Sequence, residues 1–198
     1  MSKVVCDISV SVDGYSAGEN QSEERPFGDA DPSLLHAWMF ETSQENQAEL
    51  DAIKAAKATV MGRNMFGPIR GEWDRDWNGW WGPEPPFHAP VFVLTHHRRD
   101  PVEMAGGTTF HFVTDGIEAV LERATAVPGD ADVAIAGGAS TINQYLAAGL
   151  LDELRLHITP FTLGAGTRIF DDVPPLRLEQ VSSRAATQVT HATYRVLH

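Results

Sequence analysis

The chain has 198 residues, 42% of them hydrophobic, with 15 Lys+Arg against 27 Asp+Glu and a formal net charge of −12. The length fits one compact domain, 1–198, with a full core, and the negative balance disfavours nucleic acid and anionic membrane surfaces as partners. A lone cysteine, Cys6, excludes an intrachain disulfide framework, and no apolar run reaches the roughly 20 residues of a membrane span, so a cytoplasmic globular protein is expected.

Val4 to Val12 alternates small polar residues with Ile and Val and predicts an opening strand, ended by the Asp13-Gly14 turn. Asp7 interrupts the apolar core that a secretory signal would need. Residues 16–33 are polar and punctuated by Gly and Pro, a loop. Leu34, Leu35, Trp38 and Met39 are spaced for a short helix, and 49–57 is rich in helix formers. Ala58 to Met61 predicts a buried strand entering Gly62. Residues 67–90 hold four of the five Trp and read as one long irregular stretch. Val91 to Leu94 is apolar throughout, as a strand covered on both faces must be.

Beyond it, Thr108 to Val113 predicts a strand, Ile117 to Ala126 a helix, and Asp132 to Ala136 a buried strand stopping at Gly137-Gly138. A helix over Thr141 to Ala148, a strand at Leu154 to Ile158 and two strand-like segments split near 184–187 complete the chain. Strands alternating with helices, several apolar throughout, favour a three-layer α/β domain with a mostly parallel sheet. The last strands follow one another without helices, which predicts antiparallel edge strands.

Four turns follow predicted strands: Asp13-Gly14, Gly62-Arg63, Thr95-His96 and Gly137-Gly138. Ligands of open α/β sheets gather at the carboxyl ends of strands, so these turns can converge on one crevice. Gly137-Gly138-Ala139-Ser140-Thr141 lets backbone approach a ligand and then opens a helix whose free N–H groups favour an anion. It has neither the spacing of a Rossmann fingerprint nor the lysine of a P-loop. His96-His97-Arg98-Arg99 is the densest cationic run in an acidic chain, and Arg98 or Arg99 can fork onto a phosphate. Arg63 is a second candidate clamp. The eight histidines show no metal-ligand spacing, so no metal is expected. No nucleophile elbow is present, and Cys6 lies inside a strand as a small core residue. The tryptophans of 73–81 can stack on a planar heterocycle as a lid or bury themselves at a subunit interface.

In order, Ser11-Val12-Asp13-Gly14, Val60-Met61-Gly62-Arg63, Val93-Leu94-Thr95 and Ile135-Ala136-Gly137-Gly138 resemble the dihydrofolate reductase-like superfamily. Gly149 to Pro160, followed by Leu163-Gly164-Ala165-Gly166 and Ile169-Phe170, is similar to its riboflavin-biosynthesis reductase branch, the reductase half of the bifunctional deaminase-reductase and its stand-alone bacterial relatives. The resemblance implies a three-layer α/β/α reductase domain that binds NADPH. It assigns Gly62, Arg63 and Asn64 to cofactor phosphate, Thr95, His96, His97 and Arg98 to the adenosine 2′-phosphate, and Gly137, Gly138, Ala139, Ser140 and Thr141 to the pyrophosphate and nicotinamide border. A 2′-phosphate carries about two negative charges, so the basic run favours NADPH over NADH.

The resemblance also places Asp13 near the reaction centre, where it can orient substrate or relay a proton; Trp80 and Trp81 of the aromatic loop, closing over the substrate, and Thr159 are the expected substrate contacts. It further implies a homodimer acting on a small molecule. A folate-type carboxylate has no secure equivalent, since Glu45, Glu49 and Asp51 are out of register and Asn46 is nearest. Together these imply hydride transfer from NADPH to a C=N or C=O group of a small pyrimidine- or pterin-like heterocycle, similar to reduction of 5-amino-6-(5-phosphoribosylamino)uracil. The alternative is an NADPH-binding sensor or interaction module without efficient catalysis.

Overall fold

The computed structural model describes residues 2–198. Its centre is a nine-stranded sheet with the order β10-β11-β8-β1-β7-β3-β4-β6-β5. Six neighbouring strands run parallel: β8 (Glu153–Thr159), β1 (Val4–Ser11), β7 (Val133–Gly137), β3 (Ala58–Gly62), β4 (Pro90–Leu94) and β6 (Thr109–Val113). The hairpin of β10 (Arg177–Ala186) and β11 (Val189–Leu197) adds antiparallel to β8, and β5 (Val102–Glu103) adds antiparallel to β6. The expected mostly parallel sheet with antiparallel edges is therefore present. A second pairing, β2 (Tyr15–Ala17) with β9 (Thr167–Arg168), lies where the sequence shows only loops.

Alternation sorts the side chains. Cys6, Ile8 and Val10 of β1, Val60 of β3, Phe92 of β4 and Leu154 and Leu156 of β8 join one core, beneath α4 (Ile117–Thr125) and α5 (Ala139–Ala147). On the other face, α1 (Pro32–Phe40) and α2 (Gln47–Lys54) enclose a small cluster around Trp38 and Leu50. Asp31 caps α1 by accepting from the Ser33 N–H at 2.9 Å, and Pro32 occupies its first turn. α2 starts two residues before the expected boundary and stops at Lys54, because Lys57 is already paired through its N–H with Asp132 in the approach to β3. α5 likewise starts at Ala139 rather than Thr141, the N–H groups of Thr141 and Ile142 both donating to the Gly138 carbonyl. The hairpin reverses at Thr187-Gln188, so Arg184 lies inside β10 opposite His191.

Residues 67–89 contain neither helix nor strand, yet they complete the second face of the sheet. Phe66, at the end of the short helix α3 (Arg63–Phe66), meets Trp73, Phe110 and Phe112 edge-on with centroids 6.0, 5.0 and 5.2 Å away. Trp81 stacks near Phe110 and meets Phe87 edge-on. An aromatic loop thus takes the place of a helix over β4 and β6. Phe66→Ala is expected to cost about 3–5 kcal/mol, as for buried aromatic truncation generally, read as a lower urea midpoint; an unchanged midpoint contradicts this packing.

Candidate active site

β7 lies between β1 and β3, so its carboxyl end brings Gly137-Gly138 between the Asp13-Gly14 and Gly62-Arg63 turns. A Cβ on Gly62 would sit 2.2 Å from Thr141 Oγ1, so only glycine lets the end of β3 lie against the first turn of α5. Gly137 has φ +123°, a conformation that also calls for glycine. Gly138 differs. Its φ is −66°, and a Cβ there would meet no protein atom within 4 Å. Packing against the rest of the chain does not ask for glycine at 138, and the space in front of it is open. Beside it, the N–H groups of Ala139 and Ser140 begin α5 without helical partners and with the positive end of its dipole. Ala139 is buried in the core and Thr141 packs on Gly62, so both serve through backbone and position, while the Ser140 side chain is exposed.

One strand further along, Arg63 Nε donates to the Ile69 carbonyl and Nη1 to Thr95 Oγ1, each at 3.1 Å. The guanidinium lies 3.7 Å from the Trp73 ring centroid. Its remaining nitrogen, Nη2, is buried without a hydrogen-bond partner. Burial, then neighbouring Arg70, pushes the Arg63 pKa down from its ordinary value, with Glu72 opposing. A buried donor that has no partner among the described residues is an unfilled polar contact, of the kind a phosphate oxygen would satisfy. Thr95 is buried, its hydroxyl accepting from Arg63 and from the His97 N–H, so it positions the turn rather than facing outward. His97 Nδ1 is 2.8 Å from Glu72, and its carbonyl accepts from Trp73 Nε1. His96, Arg98 and Asn64 are exposed.

Several expected contacts are elsewhere. Trp81 packs toward the amino halves of β4 and β6, against Phe87 and Phe110, and Trp80 packs on Trp77. Their rings are held in the loop's own core, which forms because the bare second face of the sheet must be covered. Thr159 is fully buried and donates to the Val10 carbonyl at 3.0 Å, tying β8 to β1. Arg99 donates to the Trp77 carbonyl and Asn78 and stacks over Trp73 and Phe112, so it clamps the aromatic loop. Asn46 and Glu49 are engaged with Arg184, which removes them as folate-type contacts.

Asp13 accepts from Ser11 Oγ at 2.6 Å, from the Leu163 N–H at 3.0 Å and from the Gly164 N–H at 2.8 Å. Its pKa is lowered to about 2, chiefly by the Ser11 hydrogen bond and further by these two backbone donors. An ionised carboxylate of this kind does not supply a proton near neutrality. Asp13 instead fastens the segment after β1 to the segment after β8, beside the β2–β9 pairing.

Asp13 also borders a hollow of about 360 Å3 floored by Val10, Leu156 and Ile158 and rimmed by Arg168 and Phe170. Arg168, like Arg70 and Glu72 around Arg63, carries no periodicity or motif that sequence reading can single out. A more open hollow of about 530 Å3 lies at the opposite end, near Lys54 and Phe87 to Pro90, away from the convergent turns. Among the described residues, no group of three or more His, Cys, Asp or Glu is placed to hold a metal, and no helix is long and apolar enough to cross a membrane.

The RibD C-terminal domain family model matches residues 2–192. YyaP, an uncharacterized protein of Bacillus subtilis strain 168, is 27% identical over 190 residues, 92% of this chain and 88% of that protein. A solved Shewanella sp. PV-4 protein with a provisional riboflavin-biosynthesis name superposes with a TM-score of 0.69 at 20% identity, covering 99% of each chain. A pyrimidine reductase-like protein from Corynebacterium diphtheriae superposes with a TM-score of 0.63 at 13% identity, covering 100% of this chain and 92% of that one.

The Asp13 geometry has a measurable consequence. With its folded pKa depressed below the unfolded value of about 3.9, its contribution is present above that pH and is lost as pH falls through about 2. Asp13→Asn at neutral pH is expected to speed hydrogen exchange at the Leu163 and Gly164 amides while leaving β1 and β7 protected. Unchanged exchange at both amides contradicts the clasp.

Proposed function

The chain belongs to the RibD C-terminal domain family, and from that premise we propose that it is an NADPH-dependent reductase of a small, pyrimidine-like heterocycle. The observation that carries this reading is the unpartnered Arg63 Nη2 at the same sheet edge as the open space before Gly138. Phosphate oxygens of the dinucleotide would meet Arg63, Asn64 and the first N–H groups of α5, and the 2′-phosphate would meet His96 and Arg98. When bound, NADPH supplies a hydride to a C=N or C=O carbon.

The residues of this chain do the rest. Gly138 admits the cofactor against the backbone, α5 offers its amino end to negative charge, and Thr95 and Trp73 hold Arg63 in one orientation. Asp13 shapes the wall of the neighbouring hollow but stays ionised, so the proton that completes the reduction comes from solvent. The hollow's apolar floor and free Arg168 rim suit a small heterocycle with polar substituents.

Nicotinamide fluorescence during NADPH titration tests the reading directly, and no binding at micromolar cofactor rejects it. Arg98→Ala is expected to weaken NADPH by about 10- to 100-fold, the worth of one charge-assisted hydrogen bond, and to leave NADH nearly unchanged. Equal losses for both cofactors displace the 2′-phosphate from this turn. Gly138→Val is expected to abolish cofactor binding, since its side chain would enter the open space in front of residue 138; normal binding by the folded variant displaces the pyrophosphate from this turn.

A further inference from the structure

On the α1–α2 face of the sheet, two buried imidazoles touch. His157 Nδ1 and His191 Nδ1 are 2.7 Å apart. His157 Nε2 faces Asp7 Oδ1 at 3.3 Å, and His191 Nε2 faces Asn46 Oδ1 at 2.9 Å. Trp38 covers both rings, with centroids 4.5 and 5.1 Å away, and its indole N–H donates to Ser9 Oγ. The side chains of both histidines are almost wholly removed from water, with residue exposures of 2% and 6%.

Counting donors fixes the protons. The Asn46 amide is oriented by its NH2 group, which donates to the Trp38 and Thr42 carbonyls, and by its oxygen, which accepts from Arg184 Nη2. His191 Nε2 must therefore carry a hydrogen to meet that oxygen. Asp7 is an acceptor, also paired with Arg155 at 3.3 Å, so His157 Nε2 must carry one too. The 2.7 Å contact between the two Nδ1 atoms needs a third. Two neutral imidazoles supply two N–H groups, and this arrangement uses three.

We propose that His157 and His191 hold one extra proton as a buried imidazolium–imidazole pair, with Asp7 as its counter-ion, which fastens α1 and α2 to the sheet. The positive ring is His157, between Asp7 and the bare Nδ1 of His191. His191 remains neutral, consistent with its pKa being lowered to about 4, by burial first and the charge of His157 next. The surrounding charges from every packed element are Asp7 of β1, Arg155 of β8, Arg184 of β10, Glu45 and Glu49 around the start of α2, and His36 of α1, itself partly buried with a lowered pKa. Glu49 answers Arg184, while Glu153 meets both Lys3 and Arg155, and the Asp7 carboxylate lies between Arg155 and His157 at 3.3 Å from each.

The pH consequence follows from His191, which is held at about 4, below its unfolded value of about 6.5. Its contribution to stability is full above the unfolded value and is lost as pH falls toward about 4, where the unfolded chain binds more protons. Protonating His191 as well would set two cations 2.7 Å apart beneath Trp38.

The test is a long-range 15N–1H correlation spectrum of the wild-type protein at pH 7, with the two rings identified by their Overhauser contacts to the Trp38 indole. The expected result is three ring N–H groups in the pair: both nitrogens of one ring shifted to protonated values, and only Nε2 of the other. Two neutral rings with one N–H each overturn the proposal. Asp7→Asn, which keeps an acceptor but removes the counter-charge, is expected to lose the imidazolium signature at the same pH. Retention of that signature overturns the role of Asp7, and if the variant does not fold the wild-type spectrum decides alone.

Discussion

A parallel sheet buries both of its faces, and everything notable in this molecule follows from how the second face is covered. One face receives α4 and α5 in the ordinary way. The other has α1 and α2 over β1, β8 and β11, but over β4 and β6 only the four-residue α3 and an irregular loop. There the chain uses Phe66, Trp73, Trp81 and Phe87, whose rings meet Phe110 or Phe112 mostly edge-on, with Trp77 packed against the same cluster. Rings of this size cover much area per residue and prefer tilted contacts, so an irregular backbone can still build a dry layer. The same loop then delivers Trp73 beneath Arg63 and Arg99, and thereby fixes the orientation of the basic turn.

The polar structure shows how an acidic chain builds a local anion site. A net charge of −12 describes the surface as a whole, yet Arg63, Arg70, Arg98 and Arg99 gather near one sheet edge. Glu72 and Asp74 lie among them and moderate the repulsion. Arg99 and Thr95 are consumed in holding this arrangement, while Arg63 keeps one donor unspent and Arg98 is exposed to solvent. Rigid support and free valence are divided between residues that look alike in sequence. The loop after β1 shows the same division, with Asp13 committed to Leu163 and Gly164 and Arg168 left at the rim of the hollow.

Much of the architecture was legible beforehand. The apolar run Val91 to Leu94, the alternation at Leu154 to Ile158 and the helix-free arrival of the last strands led to a parallel sheet with antiparallel edges. The end of α2 moved where a tertiary hydrogen bond takes Lys57, and the start of α5 where its first turn closes on Gly138. The glycine turns were legible as well, because Gly62 and Gly137 are demanded by a 2.2 Å approach and a positive φ that other residues resist. The fates of Trp80, Trp81 and Thr159 were not. A tryptophan carries the same signal whether it stacks on a ligand or on Phe110, and a threonine hydroxyl can face a pocket or a neighbouring strand's carbonyl.

Sequence by itself determined the alternation of strands and helices, the positions of the glycine turns and the family resemblance, since periodicity and glycine placement are local properties of the chain. Only the tertiary structure decided which charges remain free. That choice depends on partners far apart in sequence: Arg63 with Thr95, Arg99 with Asn78, Asp13 with Gly164, and His157 with Asp7 and His191. A hydrogen-bonding group is satisfied or unsatisfied by its neighbours in space, and no local pattern records who those neighbours are.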